Sequence, residues 1–456
     1  MKANLKIILL TFFYVSLCFF LSEESIREFG FWFYLLQLVQ ITITLVKKKS
    51  NYIYLLSPSF LILLYINLSF FFGHYVVSND IGFSKAHIIA FDKFESVSFI
   101  TSFFLLCNLM VFLALPFSRY NNNDILHSTF KNKTSKLPLG KVFVLLTLLL
   151  FLGFIDIDLS FLGGGGSFTY PLQLCTAIVL VFLISKINNK IKYLYYLVLF
   201  AVFVGTNFES KREIIYVLIL VTIFEIIKKR STFSFNFKSL ITGSIGFAIF
   251  FYLIILASII RGYGDYEVDN PIAASVHVFD YLNSDQIQSA LAINFEVETS
   301  YGSSANALDY VYSGKVNYLF GETFLKIFFL PIPRYVFPMK PKSMVNIYTK
   351  LDDESAFNDG VTSPIIFYSE SFWNFGYFAF IFIYLLTLFL NLFYEKMILS
   401  ILNNQITVKS IFLIFLYITI IQFIRGSGIE LWLLYGLVQI PYSIFILKLI
   451  KKPKTI

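Results

Sequence analysis

Four arginines, Arg212, Arg261, Arg334 and Arg425, stand at the ends of apolar runs or in the one long polar stretch that interrupts them. The guanidinium presents a rigid fork of donors that suits phosphate and carboxylate, so their chemistry is anion recognition. In GTNFESKREIIYVLILVTIF (205–224), Ser210 and Glu213 have the S-x-x-E spacing of a capping box, which predicts a helix start. Lys211 and Arg212 place two cations at a helix end that already carries partial positive charge. A bound anion resolves that conflict, because a helix N-terminus with cations makes a phosphate site. Neutralisation by Glu209 and Glu213 is the alternative. The stretch LPIPRYVFPMKPKSM (330–344) sets Arg334 and Lys340 among four prolines. Proline forbids a continuous helix there. Irregular backbone at membrane level is tolerated where it lines a cavity, so Arg334 is expected at a cavity rim. A plain connector with a snorkelling arginine would look the same. Residues 316–330 carry Glu322 and Lys326 and are too polar to span; they are expected to lie in the interface.

The elements that must hold these residues are transmembrane helices. Hydrophobic residues make up 57% of the chain, charged ones 14%, and the mean hydropathy is +0.74. A soluble domain carries roughly 25% charge, so this surface cannot all face water. Apolar runs recur at bilayer-spanning length without the alternation of a β-barrel. They predict an all-α polytopic membrane protein with twelve spans: 5–22, 29–46, 53–72, 97–116, 141–158, 169–185, 193–208, 212–227, 240–260, 373–394, 409–425 and 430–448. The chain divides into spans 1–9 (1–260), a large external loop (261–372), and spans 10–12 with a tail (373–456). A loop of that size is usually functional. The first run reads as an uncleaved helix rather than a signal peptide.

Lysine and arginine partition differently across this topology. Of 29 lysines, 21 fall on the side carrying KKK (47–49), KINNKIK (186–192), KKR (228–230) and the KKPK tail. The positive-inside rule makes that side, and both termini, cytoplasmic. Five of seven arginines fall on the other side. The rule does not call for them there. The lysine clusters suit a lipid bilayer, and no nucleic-acid partner is expected. Cys18, Cys107 and Cys175 all lie within spans and form no disulfide or metal framework.

The order of these features resembles the bacterial oligosaccharide repeat-unit polymerases, the O-antigen polymerases of Wzy type. The residues that carry the resemblance are ESKRE at a span start, RGYGDYE (261–267) opening the large loop, GETFLKIFFLPIPRYVFPMKPK (321–342), and SESFWNFGYFAF (369–380) leading into the next span. The layout covers the whole chain and the specific segments about 130 residues of it. The resemblance implies a glycosyltransferase-C-like fold in the bacterial inner membrane. It implies polymerisation of undecaprenyl-diphosphate-linked repeat units at the periplasmic face, in a pathway with a flippase and a chain-length regulator. The family's R-x10-G spacing occurs at Arg425 and Gly436, but Gly436 lies inside the last expected span.

For that reaction Arg212, Arg261 and Arg334 would stabilise the diphosphate leaving group. The acceptor hydroxyl needs a base, for which Asp265, Glu267, His277, Asp352, Asp353, Glu354 and Glu370 are available. Glu370 is preferred, because it adjoins the membrane re-entry and matches the family's E-x-x-x-NFG segment. Lys211, Tyr263, Asp265, Lys340 and Arg425 are the substrate-binding candidates. Tyr263, Tyr266, Trp373 and Phe375 could stack on sugars or anchor the interface. Asp156 and Asp158 form a D-x-D, but His74, His87, His127 and His277 lack ligand spacing, so a reaction without metal or cofactor is expected. An O-antigen ligase would use the same donor. A flippase would place ionisable groups within the spans, which are nearly free of them here, and often shows repeated halves, which are absent.

Overall fold

The computed structural model describes residues 2–48, 51–79, 94–115, 139–155, 169–187, 190–206, 211–229, 271–284, 298–329, 336–404 and 406–450, with Ile332 and scattered positions between 241 and 268. Among them every regular element is helical. The first group is α1 (Lys2–Phe20), α2 (Glu23–Phe29), α3 (Phe31–Val46), α4 (Asn51–Leu55), α5 (Pro58–Ser78) and α6 (Val97–Leu113). The second is α7 (Leu139–Gly153), α8 (Thr169–Ile184), α9 (Ile191–Thr206) and α10 (Lys211–Lys229). Short helices follow: α11 (Pro271–Val276), α12 (Val278–Leu282), α13 (Ser303–Tyr312), α14 (Glu322–Leu325), α15 (Met344–Asp352), α16 (Glu354–Asn358) and α17 (Phe367–Phe375). The chain ends on α18 (Ala379–Leu402), α19 (Val408–Ile418), α20 (Ile420–Gln422) and α21 (Ile429–Ile450).

The helices start where side chains can take their orphan amides. Ser57 accepts from the Phe60 amide ahead of Pro58, Ser96 accepts from Phe99, and Thr407 with Ser410 closes a capping box. Among the described residues three helices are long and apolar enough to cross a membrane: Pro58–Ser78, Phe367–Leu402 and Ile429–Ile450. Two bent pairs raise that to five, α2 with α3 at 56° and α19 with Ile420–Gly426 at 45°. Shorter apolar helices stand at five further expected spans, among them Asn4–Phe20 and Thr169–Ile184. The expected boundary at Phe372 falls inside α17, because the helix breaks after it. Gly376, at φ +55°, cannot continue an α-helix, and α18 starts at Ala379.

In the first group α1 packs on α6, α3 on α5, and α18 crosses both α5 and α6. In the second, α8 is buried along nearly its whole length between α7, α10 and α21. A helix that is apolar all round belongs in such a core. Polar side chains tie the first group together where water cannot. Gln37 Nε2 donates to Thr11 Oγ1 (3.1 Å) and the Leu105 carbonyl (3.1 Å). Asn108 Nδ2 donates to Gln37 Oε1 (3.0 Å) and Asn67 Oδ1 (3.1 Å). Such inter-helix bonds hold bundles in lipid, where burial of apolar surface gives little drive. Tyr368 joins this chain by donating to Asn108 Oδ1 (2.9 Å), so α17 is anchored on the spans.

The described parts of 261–372 fold onto the helix ends. The turn Glu298–Gly302 packs on α5, with the Tyr301 hydroxyl at 2.9 Å from His74 Nδ1. Helix α13 packs on α17, where Ser304 Oγ accepts from the Ile366 amide and Ser369 Oγ donates to the Ser304 carbonyl. The interfacial reading of 316–330 meets α14 and a 3-10 turn, Lys326–Phe329. These expose Phe320 and Phe328 but bury Thr323 and Phe324.

Candidate functional site

Glu370 lies on α17, one turn before Asn374, so both side chains leave the same helix face. Glu370 is only 2% exposed. Thr323, on α14, donates Oγ1–H to Glu370 Oε1 at 2.8 Å and accepts from Asn374 Nδ2 at 2.9 Å. Asn374 Nδ2 also donates to the Glu370 carbonyl (2.8 Å). The carboxylate is thus oriented by a hydroxyl whose own lone pair is held by an amide.

A second carboxylate comes from the other side. Glu430 opens α21 and pairs with Lys326 Nζ at 3.0 Å; the side chains are 3% and 11% exposed. The backbone that brings α21 here is broken. Gly428 has φ +84°, and a Cβ on it would lie 2.5 Å from Glu430 Oε2, so only glycine lets that carboxylate fold back. Gly426 has φ +103°, and a Cβ there would meet the Ile365 carbonyl oxygen at 2.0 Å. The break therefore presses against the approach to α17. Arg425 is half-buried in this turn, Phe423–Ser427, which packs on α17.

The site has charge where the spans end. α18 follows α17 directly, and Glu430 stands in the first turn of α21. Glu430 Oε2 and Asn374 Oδ1 are buried acceptors without a hydrogen-bond donor among the described residues. Both could accept from a ligand hydroxyl. A buried acceptor left without a donor costs about 1–3 kcal/mol, so such a ligand would be favoured.

The sequence-derived candidates divide clearly. Glu370 lies here, and Arg425 stands in the turn Phe423–Ser427 that packs on its helix. Lys340 is buried, with Nζ 3.2 Å from the Ile332 carbonyl, which closes the proline-rich stretch on itself. Arg212 and Lys211 open α10, at the helix start that the S-x-x-E spacing predicts, though their side chains lie outside the described residues. Arg261, Tyr263, Asp265, Tyr266, Glu267 and Arg334 also lie outside them, as do Asp156 and Asp158. Asp352 accepts from Asn306 (2.7 Å) and Tyr310 (3.1 Å), Asp353 caps α16, and Glu354 pairs with Lys350. His277 caps α12. These acids serve local structure and do not converge.

Two aromatic expectations are corrected. Trp373 is buried and donates Nε1–H to the Asn317 carbonyl (3.2 Å), and Phe375 stacks on Phe324. Trp373 offers no face to a sugar, and one face of the half-buried Phe375 is taken by Phe324. Gly436 packs α21 on α19, where a Cβ would meet Leu416 Cδ2 at 2.7 Å, which gives this glycine a packing role.

Thr323, Lys326, Asn374 and Glu430 escaped assignment from sequence. The i, i+4 spacing of Glu370 with Asn374 was the available signal; nothing local marks Glu430. Among the described residues no three His, Cys, Asp or Glu side chains converge as a metal site would require. No protein-family model, curated protein or solved structure matches this chain.

Proposed function

We propose that this chain is a glycan polymerase that joins oligosaccharide repeat units carried on undecaprenyl diphosphate, at the periplasmic face of a bacterial inner membrane. In this reading it has twelve spans and both termini are cytoplasmic. The observation that carries the reading is Glu370, a buried carboxylate oriented by Thr323 and Asn374 beside the Lys326–Glu430 pair, at the mouth of the helices rather than in mid-span. Transfer needs a base, and Glu370, buried near the helix ends, serves as one once the acceptor sugar enters between α14 and α17. Glu370 takes the proton of the acceptor hydroxyl as its oxygen attacks the anomeric carbon of the growing chain. The bond from that carbon to the diphosphate breaks, and undecaprenyl diphosphate leaves with the electron pair. Arg212, Arg261 and Arg334 stabilise that charge, and Arg425 holds the diphosphate or a sugar acid group. Glu430 Oε2 and Asn374 Oδ1 accept from sugar hydroxyls.

A flippase is disfavoured because these charges gather at helix ends. A ligase would share the donor and differ in the acceptor. The test is Glu370→Gln in the reconstituted protein supplied with its lipid-linked unit. Losing a general base costs about 10²–10⁴-fold in rate. Polymer formed at the normal rate by the variant would exclude Glu370 as the base.

A further inference from the structure

The segment that carries α14 turns its two sides to different surroundings. Its inner side holds the site: Thr323 reaches Glu370, Lys326 reaches Glu430, and Phe324 stacks on Phe375 with its ring 4.6 Å from that of Phe382 on α18. Its outer side is apolar and bare. Phe320 is 84% exposed and Phe328 76%, and Leu325 is exposed as well. Phe320 is also strained, at φ +48°, where a bulky side chain rarely sits. Among the described residues the other non-glycine at positive φ is Asn404, a type that tolerates it. The turn is pinned around Phe320. The Leu319 amide donates to the Trp373 carbonyl (3.0 Å), Trp373 Nε1 to the Asn317 carbonyl (3.2 Å), and the Glu322 amide to the Leu319 carbonyl (3.0 Å). Strain persists where the surroundings over-determine it, and here it holds an aromatic ring outward.

The bare rings continue a larger surface. The Tyr318 ring lies 6.4 Å from Phe320 and 6.2 Å from Phe372, and Phe372 lies 5.7 Å from Tyr377. Tyr377 leads into α18, where the exposed residues Phe378, Ile381, Leu385 and Phe389 recur every three to four positions down one face. That helix is long and apolar enough to cross a membrane. We propose that Phe320, Leu325 and Phe328 sit in the hydrocarbon of the bilayer leaflet at this end of α18, so that lipid forms the outer wall of the Glu370 site. The proposal rests on α18 being a span, not on the polymerase reaction. Polarity alone sets 316–330 near the interface; the strained ring and its continuity with α18 carry it below the headgroups. An aromatic held in strain gains nothing in water, where glycine would make the same turn freely. In hydrocarbon each ring removes apolar surface from water, and exposed apolar patches mark such contacts. Glu322, exposed in the first turn of α14, keeps its carboxylate among the headgroups and so makes the insertion shallow.

The test uses the full chain in vesicles of phosphatidylcholine and phosphatidylglycerol, spin-labelled at single introduced cysteines. Cys18, Cys107 and Cys175 are buried and stay unlabelled. The label on Phe328→Cys should be relaxed by oxygen more than by a water-soluble nickel complex, as on Ile381→Cys, and report a depth of about 5–10 Å. Val361→Cys, exposed between α16 and α17, should show the reverse. Phe320→Asn keeps the turn and removes the ring, so in the Phe328→Cys chain it should move the label toward water; Phe320→Trp should hold it in place. A Phe328→Cys label as open to the nickel complex as that on Val361→Cys, or one that Phe320→Asn does not move, would overturn the proposal. Shielding from both reagents with spin–spin broadening would assign the patch to a second copy of the chain and overturn it likewise. Ile381→Cys reporting water would remove α18 as a span, and the proposal with it. Polymerisation does not enter the Phe320 and Phe328 readouts, so their failure alone leaves the Glu370 reading untouched.

Discussion

Lys326→Met should destabilise the protein by about 3–5 kcal/mol, the usual cost of stripping one partner from a buried ion pair. The structure supplies the reasons. The pair is 3.0 Å apart and its side chains are 11% and 3% exposed, so water cannot replace the lost ammonium. Glu430 Oε2 already lacks a donor among the described residues, so the variant leaves the whole carboxylate poorly satisfied. At an effective dielectric of about 20, two charges at this distance attract by roughly 5 kcal/mol, which bounds the effect. Glu430→Gln removes the charge from the other side and strands Lys326 instead. The double variant carries neither charge and should recover about 2–3 kcal/mol of the summed loss. The assay is a double-mutant cycle on the full chain in detergent, unfolded by denaturant and followed by circular dichroism. If the two single losses add in the double variant to within about 0.5 kcal/mol, the pair does not exist as described and the site built around it falls.

Thr323→Val removes the hydroxyl that orients Glu370 and engages Asn374, and should lower polymerisation by about 10–100-fold through loss of the hydrogen bond it donates to Glu370 and the one it accepts from Asn374; unchanged rates would detach Thr323 from the chemistry. Asn391→Leu strips bonds to Ser59 Oγ (2.7 Å) and the Ala114 carbonyl (3.0 Å) and should cost about 1–3 kcal/mol of stability, read in the same unfolding assay. Arg212→Ala, Arg261→Ala and Arg334→Ala should each shorten or abolish polymer at normal protein levels, with Arg→Lys partly defective; full-length polymer from all three would remove the leaving-group model. Topology can be read by cysteine labelling, since Cys18, Cys107 and Cys175 are buried. The external position expected at residue 360 is a glycine at φ +79°, so exposed Val361→Cys should label from outside and Phe130→Cys from inside only.

What the sequence disclosed follows the range of the forces involved. Helix starts are local: the S-x-x-E signal at Ser210 and Glu213 points to Lys211, where α10 begins. The all-helical class is likewise local, since it rests on apolar runs and composition. Glu370 was within reach because it stands in a short segment of marked chemistry. Its partners were not, because Thr323 lies 47 residues away and Lys326 meets Glu430 across 104. Side chains that far apart leave no periodic trace. The contacts of Trp373 with the Asn317 carbonyl and of Phe375 with the Phe324 ring were out of reach for the same reason: they depend on how the segment after α13 folds back. Gly426 and Gly428 read as loop residues in RGSGIE, whereas Gly426 admits a backbone approach that a Cβ would block and Gly428 leaves room for the Glu430 carboxylate. The bond from Lys340 to the Ile332 carbonyl of its own proline-rich turn likewise left no mark in the sequence.

The most direct trial of the polymerase account is the surface polysaccharide of cells in which this gene is deleted, separated on a gel beside cells complemented with the intact chain or with Glu370→Gln. The account predicts a ladder that collapses to core plus a single repeat unit, restored by the intact chain and not by the variant. Loss of even the single unit would contradict it, pointing to export or ligation instead, and polymer accumulating on the lipid carrier would single out a ligase.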